Sequence, residues 1–210
     1  MILYDMEKAP NARRVRWFLA EKGIMIETRQ INLPSGENLT PEYLAINPRG
    51  LVPTLVLDDG TVIDESVSIC RYFEEVQPEP NLLGFDAKEK AVIDCWQRRA
   101  ELDGLYAVAL AFRNSTPVFA NRAVPGVTEP TEQLQSLVER GTLLTHRFFD
   151  LLDTRLGETE YVAGNRFTIA DITAFITLNF ARWIKLSPGE QHTNIARWFT
   201  AVAARPASKA

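Results

Sequence analysis

Asn47-Pro48-Arg49-Gly50-Leu51-Val52-Pro53-Thr54-Leu55, with Asp64-Glu65-Ser66 shortly after it, is the stretch on which the reading of this chain turns. A proline that opens an apolar run stands at a strand start or edge, because it has no N–H to give to a sheet. The residue before it, Val52, is pushed toward extended geometry. Its own N–H and C=O are then able to pair with an extended, peptide-like ligand instead of a strand. Thr54-Leu55-Val56-Leu57 and Thr61-Val62-Ile63 flank Asp58-Asp59-Gly60, which reads as a hairpin turn. The chain then enters Glu65 to Phe73 with helical spacing. A serine among open backbone N–H groups at a helix N-terminus forms a carboxylate site. Taken singly, each half has an ordinary reading too: Pro53 starts an edge strand, and Ser66 caps a helix.

Working outward, the first 77 residues alternate strand and helix patterns. Ile2-Leu3-Tyr4 reads as a short strand, and Arg13 to Lys22 as a helix stopped by Gly23 at the C′ position. Ile26 to Leu33 reads as a second strand and Pro41 to Ile46 as a helical turn; the hairpin and a helix over Glu65–Glu75 complete a βαβ-α-ββα order. Gln77-Pro78-Glu79-Pro80-Asn81 breaks the pattern and reads as a linker.

Everything beyond it has helical spacing. Asp86 with Glu89 forms a capping box, and Val92, Trp96, Leu102, Leu105, Ala109 and Phe112 mark one helix face. Pro117, Pro125 and Gly126 make a loop. Leu134, Leu137, Val138, Leu144, Phe148, Leu151 and Leu152 mark a second long helix, closed by Gly157. Thr168-Ile169-Ala170-Asp171 is another capping box, with Phe167 and Ile172 as a hydrophobic staple, so Asp171 is structural and not a catalytic acid. Ser187-Pro188-Gly189-Glu190 starts a last helix.

Bulk properties narrow the function classes. The 210 residues carry a net charge of −4 and no basic tract, which argues against nucleic acid or an anionic membrane surface as partner. Two cysteines, Cys70 and Cys95, without a CxxC, fit a reducing compartment, and both are expected to be buried packing residues. His146 and His192 stand far apart and form no metal-ligand cluster. Without a signal peptide or an apolar run of the roughly 18 residues that span a bilayer, the expectation is a soluble, cytoplasmic protein.

The order Val-Pro, Glu-Ser and the Thr168–Asp171 box together resemble the signature of the cytosolic glutathione transferase superfamily, over both halves of the chain. The phrases Ala-Glu-Lys-Gly, Ile-Asn-Leu-x-x-Gly-Glu, Leu-Asp-Asp-Gly-Thr and Arg-Ala-Glu-Leu look most like a fungal and bacterial subgroup that lacks the usual catalytic Tyr, Ser or Cys. The resemblance implies an α/β plus all-α architecture: an N-terminal thioredoxin-like, glutathione-binding domain over 1–77 and an all-helical domain over 86–210. It implies a cis Val52-Pro53 bond, with Val52 pairing by backbone with the cysteinyl residue of glutathione. Glu65 and Ser66 would grip the γ-glutamyl end. It further implies glutathione as substrate with no cofactor, a hydrophobic electrophile as co-substrate, and a homodimer.

Such an enzyme must make a thiol nucleophilic near neutral pH, where a free thiol of pKa about 8.5 is roughly a tenth ionised or less. Helix N-termini and nearby cations lower that value. The first helix begins near Pro10-Asn11-Ala12, and Arg13, Arg14 and Arg16 crowd its first turns. These arginines either serve the thiolate or cover apolar surface with their long stems. The positions where common classes keep a serine or cysteine fall on Ala9, Pro10 and Asn11, none of which has a hydroxyl or thiol. Asn11 is therefore the candidate side chain at the sulfur, with Arg14 beside it, while Tyr4 is read as core-facing. Leu51 stands where many members carry Gln or Lys toward the glycine end; Asn38 is either its substitute or an ordinary loop residue. Tyr106, Phe112 and Arg113 are the candidates for the electrophile pocket, with Phe119 a further aromatic. Two other readings stay open: a non-catalytic binding or regulatory module of the same fold, and glutathione-dependent peroxide or disulfide reduction.

Overall fold

The computed structural model describes residues 1–210. By contacts the chain forms two compact units: Met1–Pro80 with Thr116–Gln133 and Ala210, and Asn81–Ser115 with Leu134–Lys209. A stretch lying between two helices of the second unit thus belongs to the first.

The first unit is built on a four-stranded sheet of order β2-β1-β3-β4, with β1 at Ile2–Asp5, β2 at Glu27–Gln30, β3 at Thr54–Val56 and β4 at Val62–Ile63. β1 runs parallel to β2 and antiparallel to β3, and β3 runs antiparallel to β4. Leu3 and Leu55, opposite each other in the register, are fully buried. All four β2 residues are exposed, so that edge strand is held by its ladder; it covers only Glu27–Gln30 of the expected Ile26–Leu33, and Ile31, whose N–H bonds the Asp5 carbonyl at 2.8 Å, puts its side chain in the core. Tyr4 packs with Ile31 and Tyr43 in that core, as expected for a core-facing side chain.

Helix α1 spans Pro10–Glu21, beginning near Pro10-Asn11-Ala12 as expected, with Pro10 in the first turn where a missing N–H costs nothing. Gly23, at φ +66°, closes it: the N–H of Ile24 reaches the Leu19 carbonyl at 2.9 Å and that of Gly23 the Ala20 carbonyl at 3.1 Å, the paired bonds of a Schellman end. α2 covers Pro41–Leu44 and α3 Ser66–Val76. Buried Lys22 pairs with Glu74 at 2.7 Å and donates to the carbonyls of Gln77 (2.7 Å) and Pro80 (2.9 Å). One ammonium thereby ties the ends of α1 and α3 to the linker, whose Glu79-Pro80 bond is cis.

The second unit is helical: α4 at Ala87–Arg99, α5 at Tyr106–Ser115, α6 at Gln135–Glu158, α7 at Ile169–Ala181 and α8 at Thr193–Ala203. Between α4 and α5 the helix widens into a π segment over Ala100–Leu105, which the sequence reading did not anticipate. The expected face is met only in part: Leu105 is buried, but Val92 and Leu102 are exposed, and Ile93, Gln97 and Ala100 take the buried positions before it. Leu134 is likewise exposed, and the buried line of α6 runs through Gly141, Thr145, Phe148, Phe149, Leu152 and Leu156. Gly157 lies inside the last turn of α6 rather than ending it. Ser187–Gly189 is irregular and a turn follows at Glu190, so no helix starts there; α8 begins only at Thr193. Cys70 is buried as expected, but Cys95 is exposed on α4, because the buried face there passes through Ile93 and Gln97 instead.

Buried α7 opens with the expected box. The Thr168 side chain accepts from the N3 backbone, and Asp171 accepts from Thr168 N–H at 2.9 Å. Asp171 also takes the Val162 N–H (2.9 Å) and Trp198 Nε1–H (2.8 Å), so one carboxylate joins α7, α8 and the loop before them.

Candidate functional site

The register puts three chain segments at one end of the sheet. Tyr4, near the end of β1, faces Thr54 at the start of β3, and Leu55 faces Ile63 at the end of β4. The loop from β1 into α1, the Val52-Pro53 step and the entry to α3 at Glu65-Ser66 are therefore neighbours.

The Val52-Pro53 bond is cis, as expected. Val52 itself lies outside the strands, and neither its N–H nor its carbonyl has a partner within the chain. The backbone on both sides of it is held firmly. The Leu51 carbonyl accepts from Tyr43 Oη (2.6 Å), Thr54 Oγ1 (3.0 Å) and Asn47 Nδ2 (3.1 Å). Asn47 Nδ2 also reaches Thr54 Oγ1 (2.9 Å), and its Oδ1 takes the Arg49 N–H (3.0 Å). Tyr43, Asn47 and Thr54 are all buried, so these bonds form away from water and are costly to leave unmade. Burial is also the largest cause that raises the Tyr43 phenol above its ordinary value. The Gly50 carbonyl accepts from Asn38 Nδ2 at 2.7 Å. Asn38 is itself buried, so it supports this loop from within.

At the start of α3, Glu65 is the N-cap residue but makes no capping bond through its side chain. The N–H groups of Ser66, Val67 and Ser68 in the first turn thus have no cap; the Ile69 N–H closes the first helical bond on the Glu65 carbonyl. Ser66 is nearly buried, at 4% exposure. The exposed Glu65 carboxylate meets Arg49 Nη1 at 2.6 Å, with Asp64 at 3.3 Å from the same nitrogen. The hydrogen bond to Glu65 is the leading cause that raises the Arg49 guanidinium.

The start of α1 is similarly open: Ala9 offers no side-chain cap, and Pro10 has no N–H. Asn11 is exposed, and its Oδ1 accepts from Nη2 of fully buried Arg14 at 2.8 Å. Arg14 can only donate, so the Asn11 oxygen faces it and the amide Nδ2 keeps two N–H donors. Arg16 is committed elsewhere: it holds buried Asp5 with bonds of 2.7 and 2.9 Å, and Gln30 Nε2 adds a third at 2.7 Å. Burial, then repulsion from Arg16, pulls the Arg13 guanidinium below its ordinary value.

Residues 9–76 match the family model described as glutathione S-transferase, N-terminal domain, and residues 115–206 match the glutathione S-transferase C-terminal domain. The chain belongs to the glutathione S-transferase family. It is 37% identical to glutathione S-transferase 2 of Saccharomyces cerevisiae, over all of this chain and 88% of the relative. The crystal structure of Gtt2 from the same yeast superposes with a TM-score of 0.91 at 36% identity, covering 100% of this chain and 99% of that one. A glutathione S-transferase domain-containing protein from Marinobacter aquaeolei superposes with a TM-score of 0.92 at 34% identity, covering 99% and 100%. The transferase fold and the subgroup resemblance read from the sequence agree with these neighbours.

Within this transferase, Asn11 and Arg14 are joined directly, and Val52, Pro53, Glu65 and Ser66 share one end of the sheet. The candidates for the electrophile pocket scatter by environment. Tyr106 is 62% exposed at the start of α5, while Phe112 packs edge-on against Phe180 (5.0 Å) and Trp183 (5.7 Å) within the helical unit. Arg113 is half-buried, and Phe119 belongs to the segment that joins the first unit. Sequence reasoning missed Arg49 as the partner of Glu65, and Tyr43 as a support of Leu51. The Asn47-Pro48 step carried a signal for the turn, but nothing local announced Tyr43.

Proposed function

We propose that this transferase conjugates the glutathione thiol to a small hydrophobic electrophile, with the thiolate stabilised by the N-terminus of α1. The observation that carries the reading is Val52. It offers both backbone groups to an extended partner beside the uncapped start of α3, a pairing suited to a peptide that ends in a free carboxylate and ammonium. In this reading Val52 pairs with the cysteinyl residue, at the Pro53 step. The Ser66 hydroxyl and the first N–H groups of α3 take the γ-glutamyl carboxylate, and Glu65 takes its ammonium. Asn38 acts through the Gly50 carbonyl and does not touch the ligand.

The sulfur then faces the start of α1. The N–H groups of Asn11 and Ala12 and the Asn11 amide supply donors that favour the anion, and Arg14 holds the Asn11 oxygen. The thiol loses its proton to solvent, the thiolate pair attacks the electrophilic carbon, and the new C–S bond forms as the leaving group departs or the product carbanion takes up a proton. Tyr106, Phe112 and Arg113 are proposed to contribute to the electrophile site, and the active protein is proposed to be a cytoplasmic homodimer without cofactor.

The test is the ultraviolet thiolate signal of glutathione titrated against the protein across pH, in wild type and in Ser66→Ala. A bound thiol clearly more acidic than free glutathione, with binding weakened at least tenfold by Ser66→Ala, supports the reading. Binding without a shift favours the non-catalytic module, a reading that the missing hydroxyl at Ala9, Pro10 and Asn11 motivates. Turnover of a peroxide and an aryl halide by one preparation separates transfer from glutathione-dependent reduction.

A further inference from the structure

The segment Thr116–Gln133 lies in sequence between α5 and α6, yet its contacts belong to the first unit. It is a built element. Gln133 Nε2 donates to the Thr116 carbonyl at 2.8 Å, which closes its neck. Inside, Ala123 N–H reaches the Thr131 carbonyl (3.1 Å), Thr131 N–H the Asn121 carbonyl (3.0 Å), and Val124 N–H the Thr131 hydroxyl (3.0 Å). The segment is thus cross-linked by hydrogen bonds around Arg122 and Thr131.

Two of its contacts reach loops of the sheet. Arg122 Nη2 donates to the Leu33 carbonyl at 2.9 Å, and Nη1 lies 3.4 Å from the Pro34 carbonyl, in the loop after β2. Gly126, at φ +72°, sits so close to the loop before β3 that a β carbon on it would fall on the Arg49 carbonyl oxygen and lie 3.1 Å from Leu51 Cδ2. Leu51 and Gly50 are held by Tyr43, Asn47, Thr54 and Asn38, and Gly126 packs tightly on the Arg49 carbonyl and the Leu51 side chain of the same loop. The loop that presents Val52 is therefore held both by a buried polar network and by contact with this segment.

We infer that residues 116–133 act as a clamp on the glutathione-binding loop, with Arg122 and Gly126 as positioning residues for Val52. The inference rests on the proposed role of Val52 in pairing with glutathione. A clamp of this kind contributes by removing loop disorder that binding would otherwise have to remove, so its loss weakens affinity without touching the chemistry. Arg122→Gln shortens the side chain and replaces the charged guanidinium with a neutral amide. Gly126→Ala places a methyl group against the Arg49 carbonyl in a backbone region that alanine adopts poorly.

The experiment measures glutathione affinity, kcat at saturating glutathione, and backbone hydrogen exchange across the whole chain, for wild type, Arg122→Gln, Arg122→Lys and Gly126→Ala. The expected result is affinity weakened by about three- to tenfold in Arg122→Gln, the range set by freeing one or two ordered groups. Saturated kcat should be kept, and faster exchange should be confined to 33–36 and 49–52. Arg122→Lys, which still donates to a carbonyl, should recover most of the loss. Unchanged affinity in Arg122→Gln, with wild type binding normally, overturns the clamp and leaves the glutathione reading standing. Exchange that rises throughout the unit also overturns it, since that marks a general loss of stability. A wild type that does not bind glutathione overturns both. If Gly126→Ala does not fold, Arg122→Gln and Arg122→Lys decide alone.

Discussion

Asp171 is fully buried, and burial outweighs the donors around it, so its carboxyl is pushed up from 3.8 to about 6. Those donors are Val162 N–H, Trp198 Nε1–H and the Thr168 N–H and hydroxyl. Because the folded-state value lies above the unfolded one, the folded protein binds this proton more tightly. Stability from this group is therefore complete below about 4 and is lost as pH rises through about 6. At about 1.4 kcal/mol per tenfold in proton affinity, a rise from 3.8 to about 6 is worth about 3 kcal/mol between those limits. Asp171→Asn is the perturbation. It keeps one acceptor oxygen but turns an NH2 group toward N–H donors, so it costs stability at every pH; the informative quantity is how that cost changes. Urea unfolding of wild type and variant from pH 7.5 to 4.5 should show the wild-type advantage growing by about 2 kcal/mol as pH falls. A difference that stays constant, or shrinks, would refute the reasoning: the carboxylate would then stay ionised, its donors outweighing burial.

Three further outcomes follow from the geometry. Tyr43→Phe removes the 2.6 Å bond to the Leu51 carbonyl but leaves the bonds from Asn47 and Thr54, so unfolding stability should fall by about 1 kcal/mol, read from denaturant midpoints. Gly141→Ala would put a β carbon 2.7 Å from the Ala107 carbonyl where α6 meets α5; overpacking there should cost about 1–3 kcal/mol, seen as a lower Tm. Asn11→Ala removes an amide that Arg14 holds in place, and the bound glutathione thiol should become less acidic by up to about one pH unit, measured by its ultraviolet titration; an unchanged value would assign the stabilisation to the α1 backbone alone.

Much of the first unit was legible because its signals are local. Proline at residue 53, the Asp58-Asp59-Gly60 turn and Gly23 each restrict the backbone where they stand, and the strands, hairpin and helices appear around them. The Thr168–Asp171 box was legible for the same reason: both partners lie within one helical turn. Helix faces were read less well. From Ala100 to Leu105 the chain departs from the 3.6-residue period, so a face counted through it lands on exposed Leu102. Cys95, on α4 ahead of that segment, was misread because the buried line there runs through Ile93 and Gln97. In the site, Val52, Pro53, Glu65 and Ser66 could be named together because the motif is compact. Arg49 as partner of Glu65 and Tyr43 as partner of Leu51 could not, since nothing in their neighbours' identity fixes where a long side chain ends.

The sequence by itself indicated the family and the order of elements and nominated the candidate residues for glutathione. These depend on backbone-restricting residues and short spacings that act before any long-range contact forms. Only the tertiary structure decided that the Leu51 carbonyl is held by three buried donors, Tyr43, Asn47 and Thr54, at once. It alone also placed residues 116–133, read as a loop of the helical half, against the segments that flank Val52. The reason is physical: a carbonyl's partners and a loop's resting place are set by which surfaces the completed sheet and helices leave open, and one-dimensional spacing does not carry that information.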